Sequence, residues 1–179
     1  MSGAQHSRGR YGVIAVVRDL PPRIRPMRSS DIEAVTAIES ATYDFPWSAG
    51  IFRDCLLAGY TNLVLDSDGD TVGYGIMSIA AGEAHLLNIC VSEQLRRQGI
   101  GGRLLEHMMQ LARQASTERI YLEVRPSNKS AFGLYRSAGF EVLGVRENYY
   151  KARDGKEDAI VLVRHFRNVA APPSAKHDG

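Results

Sequence analysis

The sequence has few cysteines and no long apolar run. Only 2 of the 179 residues are cysteine, and Cys55 and Cys90 both stand among apolar neighbours. A disulfide framework is therefore not expected, and a reducing compartment is the default. Neither cysteine has a companion at metal-ligand spacing, so we predict no metal site. No apolar run approaches the roughly 20 residues that a membrane span needs, so we predict a cytoplasmic protein that does not enter a membrane.

The charge of the chain is almost balanced. Its 22 Lys and Arg residues stand against 20 Asp and Glu residues, which gives a net charge of +2. This balance does not favour a general contact with nucleic acid or with a membrane surface. A hydrophobic fraction of 44% over 179 residues suits one globular domain with a sizeable core.

We place that domain at residues 23–168. Residues 1–22 are basic and uneven, and they lack the apolar region of a secretory signal. We expect them to be a flexible extension outside the core, with an extra strand as one possibility and an upstream start codon that adds little to function as the alternative. The tail, residues 169–179, carries Pro172-Pro173 and is expected to be disordered.

Residues 86–111 organise the chain. An apolar strand ending at Val91 leads into a charged, glycine-rich turn, residues 96–102, and then into an amphipathic helix. The free amides and the dipole of a helix start attract anions, and glycines let phosphate oxygens approach the main chain. Leu104 stands where a dinucleotide fingerprint needs its third glycine, and no P-loop lysine follows. Any strand-to-helix turn can use glycines, so the loop alone leaves a purely structural role open.

The order of the elements indicates the class of fold. Two strands joined by a hairpin turn, Ser67-Asp68-Gly69, precede the strand of the glycine loop. The chain continues as helix, strand, helix and two strands, the first of which is predicted over residues 141–145. This order predicts an α/β protein with a mixed sheet and helices on both faces.

Four motifs carry a more specific signal. They are R/Q-x-x-G-x-G/A at residues 96–101, L-E-V-R-x-S-N at 122–128, A-x-x-L-Y-x-x-x-G-F at 131–140, and R-x-N-Y-Y followed by D-G-x-E-D-A at 146–159. Together they resemble the GNAT family of acetyl-CoA-dependent N-acetyltransferases, and the last one, with Phe45-Pro46-Trp47 upstream, resembles its RimI branch. The resemblance spans about residues 24–166. It implies the GNAT fold, a mostly antiparallel sheet of about seven strands.

The resemblance implies acetyl-CoA as cosubstrate and no metal. In the family the glycine loop holds the pyrophosphate of coenzyme A, and the end of the preceding strand pairs through its main chain with the pantetheine arm. Asn128, at the start of the next helix, is also a good N-cap on its own account. The cofactor-binding residues implied in this way are Ile89, Cys90, Val91, Arg96, Arg97, Gln98, Gly99, Ile100, Gly101, Gly102 and Asn128.

Acetyl transfer to an amine needs a base and a proton donor for the departing thiolate. An α-amine has a pKa near ~8, so only about a tenth of it is neutral at pH 7. The resemblance makes Glu123 the general base, directly or through a water, and Tyr135 the acid. Strand alternation places Glu123 on one face with Tyr121 and Arg125. From residue type alone, Glu123 could simply pair with an arginine and Tyr135 could pack on the sheet.

The resemblance also implies an acceptor site, formed by Trp47, Tyr149, Tyr150 and Asp158. A carboxylate there could hold an ammonium, and tyrosines could line an alanine-sized pocket. Core packing of Trp47 and a solvated hairpin are the alternatives. We interpret the Cys90 side chain as a core residue, because no histidine is near enough in the sequence to activate its thiol.

Resemblance to the RimI branch implies transfer of an acetyl group to the α-amine of a protein, in bacteria the alanine of ribosomal protein S18. We expect a monomer or weak dimer with no direct contact to nucleic acid. Two alternatives stay open, an acetyltransferase for a lysine or small amine and a non-catalytic CoA-binding factor. Glu123 with Tyr135 argues against the second, because a binder does not need an acid and a base.

Overall fold

The computed structural model describes residues 21–166, which form a seven-stranded sheet with helices against both faces. The strands are β1 (Arg23–Pro26), β2 (Thr61–Ser67), β3 (Asp70–Ala80), β4 (Glu83–Val91), β5 (Arg119–Val124), β6 (Glu141–Ala152) and β7 (Gly155–His165), and the helices are α1 (Ile32–Thr42), α2 (Ala49–Leu57), α3 (Ile100–Gln114) and α4 (Lys129–Ser137). Most of the predicted extension and all of the predicted tail lie outside the described residues. Within residues 21–166, no helix is long and apolar enough to cross a membrane.

The order of the strands in the sheet is β1-β2-β3-β4-β5-β7-β6. β4 and β5 run parallel, and the other neighbouring strands are antiparallel. The predicted mixed, mostly antiparallel sheet is therefore confirmed. The parallel pairing runs only from Glu83, opposite Arg119, to Leu86, opposite Leu122. Beyond it β4 continues to Val91 without pairing to β5, so an opening lies between these two strands.

The two faces of the sheet have separate cores. α3 and α4 cover one face, where the buried side of α3 packs against residues of β4 and β5. The side chains that repeat at helical spacing, Leu104, Met108 and Ala112, are completely buried. α1 and α2 cover the other face with Val35 and Phe52. Each fully buried aliphatic or aromatic side chain contributes roughly 1.5–3 kcal/mol, so both helix layers are held firmly.

β6 is longer than the strand predicted over residues 141–145. It continues to Ala152, but its pairing with β7 shifts between Arg146, opposite Ala159, and Tyr150, opposite Glu157. The irregularity breaks the two-residue alternation from which a strand is predicted, so the prediction ended too early. As a consequence the β6–β7 hairpin extends past the last residue of β5.

Candidate active site

The glycine loop brings several free amides to one place. Arg97 and Gly99 have left-handed backbones with φ of +60° and +76°, and α3 begins at Ile100. Glycine adopts this region without strain, which suits Gly99 to the N-cap position. Along α3, the first amide that donates to the main chain is that of Arg103, and its acceptor is the Gly99 carbonyl at 3.1 Å. The amides of residues 97–102 donate to no other described residue, so together with the helix dipole they form a site for an anion.

Some side chains of this loop hold the loop itself. The guanidinium of Arg96 donates to the Val91 carbonyl and to the Thr42 hydroxyl, both at 3.0 Å. The amide of Gln98 donates to a main-chain carbonyl of the preceding turn at 3.2 Å, and the side chain of Ile100 is buried in the core. These three predicted cofactor residues therefore offer a ligand mainly their backbone.

Gly101 and Gly102 lie near the opening between β4 and β5. A Cβ atom at Gly101 would be 3.7 Å from Val91 and 3.8 Å from Leu134, and one at Gly102 would be 3.7 Å from Leu134. These are ordinary van der Waals contacts, so the fold does not itself demand glycine at either position. Glycine keeps the main chain open to a close approach, as a phosphate group requires.

The end of β4 offers main-chain groups to the opening. Past Leu86 this strand has no pairing partner on the side of β5. The side chain of Ile89 packs into the α3 core, whereas that of Cys90 is buried in the α1–α2 core. Burial raises the pKa of the Cys90 thiol. The buried, protonated thiol agrees with the interpretation of this side chain as part of the core.

Glu123 lies on the face of β5 opposite Leu122 and Val124, as strand alternation predicts. Its side chain is only 8% exposed, and its Oε2 lies 2.6 Å from Nε2 of His85. The Arg146 guanidinium comes within 3.3 Å of Oε1. That guanidinium is not oriented to donate, so Oε1 is buried without a hydrogen-bond partner among the described residues.

The carboxyl group of Glu123 is ionised at neutral pH. Burial acts to raise its pKa, but the hydrogen bond with His85, the charge that His85 carries when protonated and the charge of Arg146 together outweigh burial and hold the pKa below its ordinary value. A buried carboxylate with one unpartnered oxygen attracts a cation or a hydrogen-bond donor. An ammonium group is a cation and also a hydrogen-bond donor.

Tyr135 is the buried residue of α4. Its ring is buried 5.9 Å from that of Phe140. Burial, followed by the charges of Tyr150 and Cys90, raises the pKa of Tyr135, so the phenol stays protonated. Burial also raises the pKa of Tyr150, to which the Glu123 charge adds. Tyr150 is therefore within electrostatic reach of both predicted catalytic residues.

Asn128 caps α4, as its position predicts. Its Oδ1 accepts a hydrogen bond from the amide of Ala131 at 3.1 Å. This bond satisfies one of the free amides at the helix start. The contact of Asn128 with the cofactor stays a prediction.

The predicted acceptor residues on the hairpin divide into two groups. Tyr149 and Tyr150 stack edge to face at 4.9 Å, and the Arg125 guanidinium lies 4.2 Å from the ring centre of Tyr150. Tyr149 is 48% exposed, so its ring is available to a ligand. The carboxylate of Asp158 instead accepts the amide of Asn148 at 2.9 Å and thereby supports the irregular part of β6.

Trp47 is half-buried, as the packing alternative for this residue requires. Its ring lies 5.6 Å from that of Phe52, and its amide donates to Glu39 at 2.9 Å. Glu39 is itself only 2% exposed and also accepts the hydroxyl hydrogen of Tyr74. This buried carboxylate therefore fixes the turn between α1 and α2.

Sequence reasoning missed three polar residues of this region, His85, Glu39 and Tyr43. Glu39 follows buried Val35 by four positions on α1, and that spacing was the available signal for an inward carboxylate. Burial raises the pKa of Tyr43, and the charges of Cys90, Glu39 and Tyr135 add to the rise, so Tyr43 faces the same region. Among residues 21–166, no group of three His, Cys, Asp or Glu side chains is placed to hold a metal ion.

Comparison with known proteins agrees with this geometry. Residues 32–140 match the family model described as acetyltransferase (GNAT) family. The chain is 37% identical over 139 residues to the ribosomal protein bS18-alanine N-acetyltransferase of Escherichia coli strain K12, covering 78% of this chain and 94% of the relative. It is 36% identical over 141 residues to the putative ribosomal protein bS18-alanine N-acetyltransferase of Bacillus subtilis strain 168, covering 78% and 92%.

The fold agrees as well. The crystal structure of the ribosomal-protein-S18-alanine N-acetyltransferase from Escherichia coli matches with a TM-score of 0.76 and 34% identity, over 84% of this chain and 98% of that one. The sequence match, the fold and the free amides of the glycine loop thus agree with one another. This chain belongs to the GNAT family of acetyl-CoA-dependent N-acetyltransferases.

Proposed function

We propose that this protein transfers the acetyl group of acetyl-CoA, by direct attack, to the α-amine at the N-terminus of a protein. The substrate we infer is the alanine of ribosomal protein S18, acetylated in the cytoplasm by a monomer or weak dimer. The observation that carries the proposal is the buried carboxylate of Glu123, whose Oε1 has no hydrogen-bond partner among the described residues. Glu123 and the protonated Tyr135 are both within electrostatic reach of Tyr150. The names of relatives up to 37% identical support the choice of acceptor.

The chain suits acetyl-CoA, which supplies an acetyl group activated as a thioester. The amides of residues 97–102 would hold its diphosphate, and the exposed side chain of Arg97 would add positive charge. The unpaired main chain of β4 beyond Leu86 would pair with the pantetheine arm. An amide there would also donate to the carbonyl oxygen of the acetyl group, where negative charge develops during attack.

Glu123 would prepare the acceptor. An α-amine arrives mostly as ammonium at pH 7, because its pKa is near ~8. The ionised carboxylate attracts this cation, and Oε1, which accepts no hydrogen bond from the part of the chain that the structure describes, can receive its proton, directly or through a water. The amine then attacks as a neutral nucleophile.

Tyr135 would complete the reaction. Its raised pKa keeps the phenol protonated through the working pH range. The phenol can therefore donate its proton to the sulfur as the bond between sulfur and the acetyl carbon breaks. The exposed ring of Tyr149, beside Tyr150, would line the wall against which the first residue of the acceptor packs.

A panel of acceptors tests the proposal. Purified protein is incubated with acetyl-CoA and a peptide that begins with the S18 sequence, and the products are identified by mass spectrometry. The same peptide with a blocked N-terminus but a free lysine, free lysine, and polyamines are the matched controls. We expect acetylation of the free α-amine only. Acetylation of the blocked peptide or of a polyamine would replace the proposal with a lysine or small-amine acetyltransferase.

The Glu123→Gln variant tests the role of the proposed base. Glu123→Gln keeps the shape of the side chain but cannot accept a proton, and we expect turnover about 10²–10⁴-fold lower. Binding of acetyl-CoA, measured by calorimetry, should change little, because Glu123 lies on the acceptor side. Full turnover in this variant would contradict the base role.

A further inference from the structure

His85 and Glu123 are brought together by the parallel pairing of β4 and β5. In that pairing His85 lies opposite Tyr121. Glu123 follows Tyr121 by two positions, so its side chain points to the same face, one step along the strand. The outcome is the 2.6 Å contact between Nε2 of His85 and Oε2 of Glu123. Neither a sequence motif nor the family resemblance assigned a role to this histidine.

Of the two side chains, that of Glu123 lies in the interior and that of His85 reaches the surface. The side chain of Glu123 is 8% exposed, whereas that of His85 is 35% exposed. His85 also lines a shallow pocket of ≈ 170 Å³, together with Ser78, Glu83 and Tyr121. The imidazole therefore links a buried carboxylate to solvent.

The two oxygens of Glu123 have different tasks. Oε2 is engaged by His85, and Oε1 has no hydrogen-bond partner within residues 21–166. A carboxylate held in this way fixes the tautomer of a neighbouring imidazole and stabilises the imidazolium. Of all side chains, imidazole is the one that ordinarily changes charge between pH 5 and pH 8. With Nε2 directed at the carboxylate, His85 has its other ring nitrogen, Nδ1, to take up a proton.

We propose that His85 and Glu123 act as one proton-accepting pair for the acceptor amine. This inference rests on the proposed function. In the step, one N–H bond of the acceptor ammonium breaks, and its proton passes from the Oε1 side of Glu123 through water to Nδ1 of His85, while the Nε2–H group stays hydrogen-bonded to Oε2. The ammonium loses its positive charge, and the pair loses its net negative charge. The imidazole then releases the proton to solvent at its exposed edge, which restores the pair.

The charged groups around His85 and Glu123 are compatible with proton uptake by this pair. Arg146 of β6 lies on the Oε1 side of Glu123. On β4 and β5, Glu83 and Arg119 pair with each other at 2.8 Å and largely cancel. Ser78 from β3 and Tyr121 from β5 line the same pocket as His85, and Tyr150 from β6 is near enough to Glu123 for that charge to raise its pKa. Glu123 is thus the carboxylate in contact with the imidazole.

His85→Gln tests the inference. The glutamine amide can still donate to Glu123, but it cannot take up a proton. We measure kcat/KM for the S18 peptide from about pH 6 to about pH 9, a range that spans the amine pKa near ~8. Near pH 7 we expect a loss of at least about tenfold. The loss should shrink toward pH 9, because the amine then arrives neutral. A loss by the same factor at every pH, or no loss, would overturn the inference.

Two controls keep the result interpretable. His107→Gln makes the same substitution on α3, away from the site, and should leave the pH profile of the wild type unchanged. Thermal unfolding and acetyl-CoA binding of His85→Gln should match the wild type, which shows that the fold and the cofactor site are intact. If the variant is unstable, His85→Asn is examined in the same way. Failure of the wild type to acetylate any α-amine would instead refute the proposed function, so the two failures are distinguishable.

Discussion

The guanidinium of Arg153 donates two hydrogen bonds to the carboxylate of Asp44, at 2.6 and 3.1 Å. Asp44 lies between α1 and α2, three positions before Trp47. Arg153 lies in the β6–β7 turn, shortly after Tyr150. The ion pair therefore ties together the two segments that carry the predicted acceptor contacts.

Removal of the Asp44–Arg153 ion pair should weaken the binding of the acceptor peptide. In Asp44→Asn or Arg153→Gln we expect the KM for the peptide to rise severalfold while kcat stays nearly constant, because the two segments are no longer held in one arrangement. Stability should change little, since both side chains are exposed. Added salt should raise the KM of the wild type toward that of the variants. The measurement is steady-state kinetics at low and high ionic strength.

Two comparisons check the origin of the effect. Glu106→Gln breaks another exposed pair, with Arg113 at 3.1 Å on α3, and should leave the KM unchanged. The exchange of Asp44→Arg with Arg153→Asp restores an ion pair and should recover most of the affinity. A lower KM in the single variants would show instead that the pair obstructs the acceptor.

Tyr135→Phe should lower kcat by about 10²–10⁴-fold. Phenylalanine keeps the packing against Phe140 and removes the proton that we assign to the departing thiolate. The KM for acetyl-CoA should change little, and so should the melting temperature. Tyr60→Phe is the matched control, because Tyr60 is an exposed tyrosine in the turn after α2. Turnover that survives in Tyr135→Phe would transfer the acid role to another group, with Tyr43 the first candidate.

The spacing of apolar residues along the chain predicted the parts of the fold that depend on short-range periodicity. Helical spacing gave Leu104 and Met108 on the buried side of α3, and strand alternation placed Glu123 on the face opposite Leu122 and Val124. The contact of His85 with Glu123 was missed because it depends on the register of two parallel strands separated by the whole of α3. That register is set by tertiary packing, which the spacing of residues along the chain does not encode.

The irregular end of β6 was missed for a different reason. Asn148 has a φ of +53° and its amide is held by Asp158, which lies ten positions later on the next strand. The local sequence therefore does not reveal that the strand resumes. The same contact explains why Asp158, predicted to bind the acceptor, has its carboxylate engaged by the protein's own main chain.

Gly99→Ala should destabilise the protein by roughly 1–2 kcal/mol, because a Cβ atom is strained at a φ of +76°. The loop backbone would have to rotate to relieve that strain. Its amides would then no longer face the diphosphate, so the affinity for acetyl-CoA should fall as well. Thermal unfolding and calorimetry measure the two effects. Gly133→Ala lies inside α4 with open space around the new methyl group and should stabilise by about 0.5–1 kcal/mol. Equal effects of the two substitutions would contradict the assigned loop conformation.

Acid should weaken the fold partly through Asp31, which is 7% exposed and accepts a hydrogen bond from Arg25 at 2.8 Å. The hydrogen bond from Arg25 lowers the pKa of Asp31 more than burial raises it. Since the folded pKa is lower than the unfolded one, near ~3.9, this contribution is complete above that pH. It is lost as the pH falls through the folded value.

Asp31→Asn should therefore lower the free energy of unfolding at pH 7 by about 1.5–3 kcal/mol, as expected for hydrogen bonds to a charged group. The deficit relative to the wild type should shrink as the pH falls below about 3.9, because protonation then removes the same interaction from the wild type. Urea unfolding followed at several pH values measures it. Asp54→Asn, on the exposed side of α2, is the matched control and should show no such convergence. A deficit that stays constant down to the lowest pH would mean that Asp31 stabilises the fold by packing, with its charge playing no part.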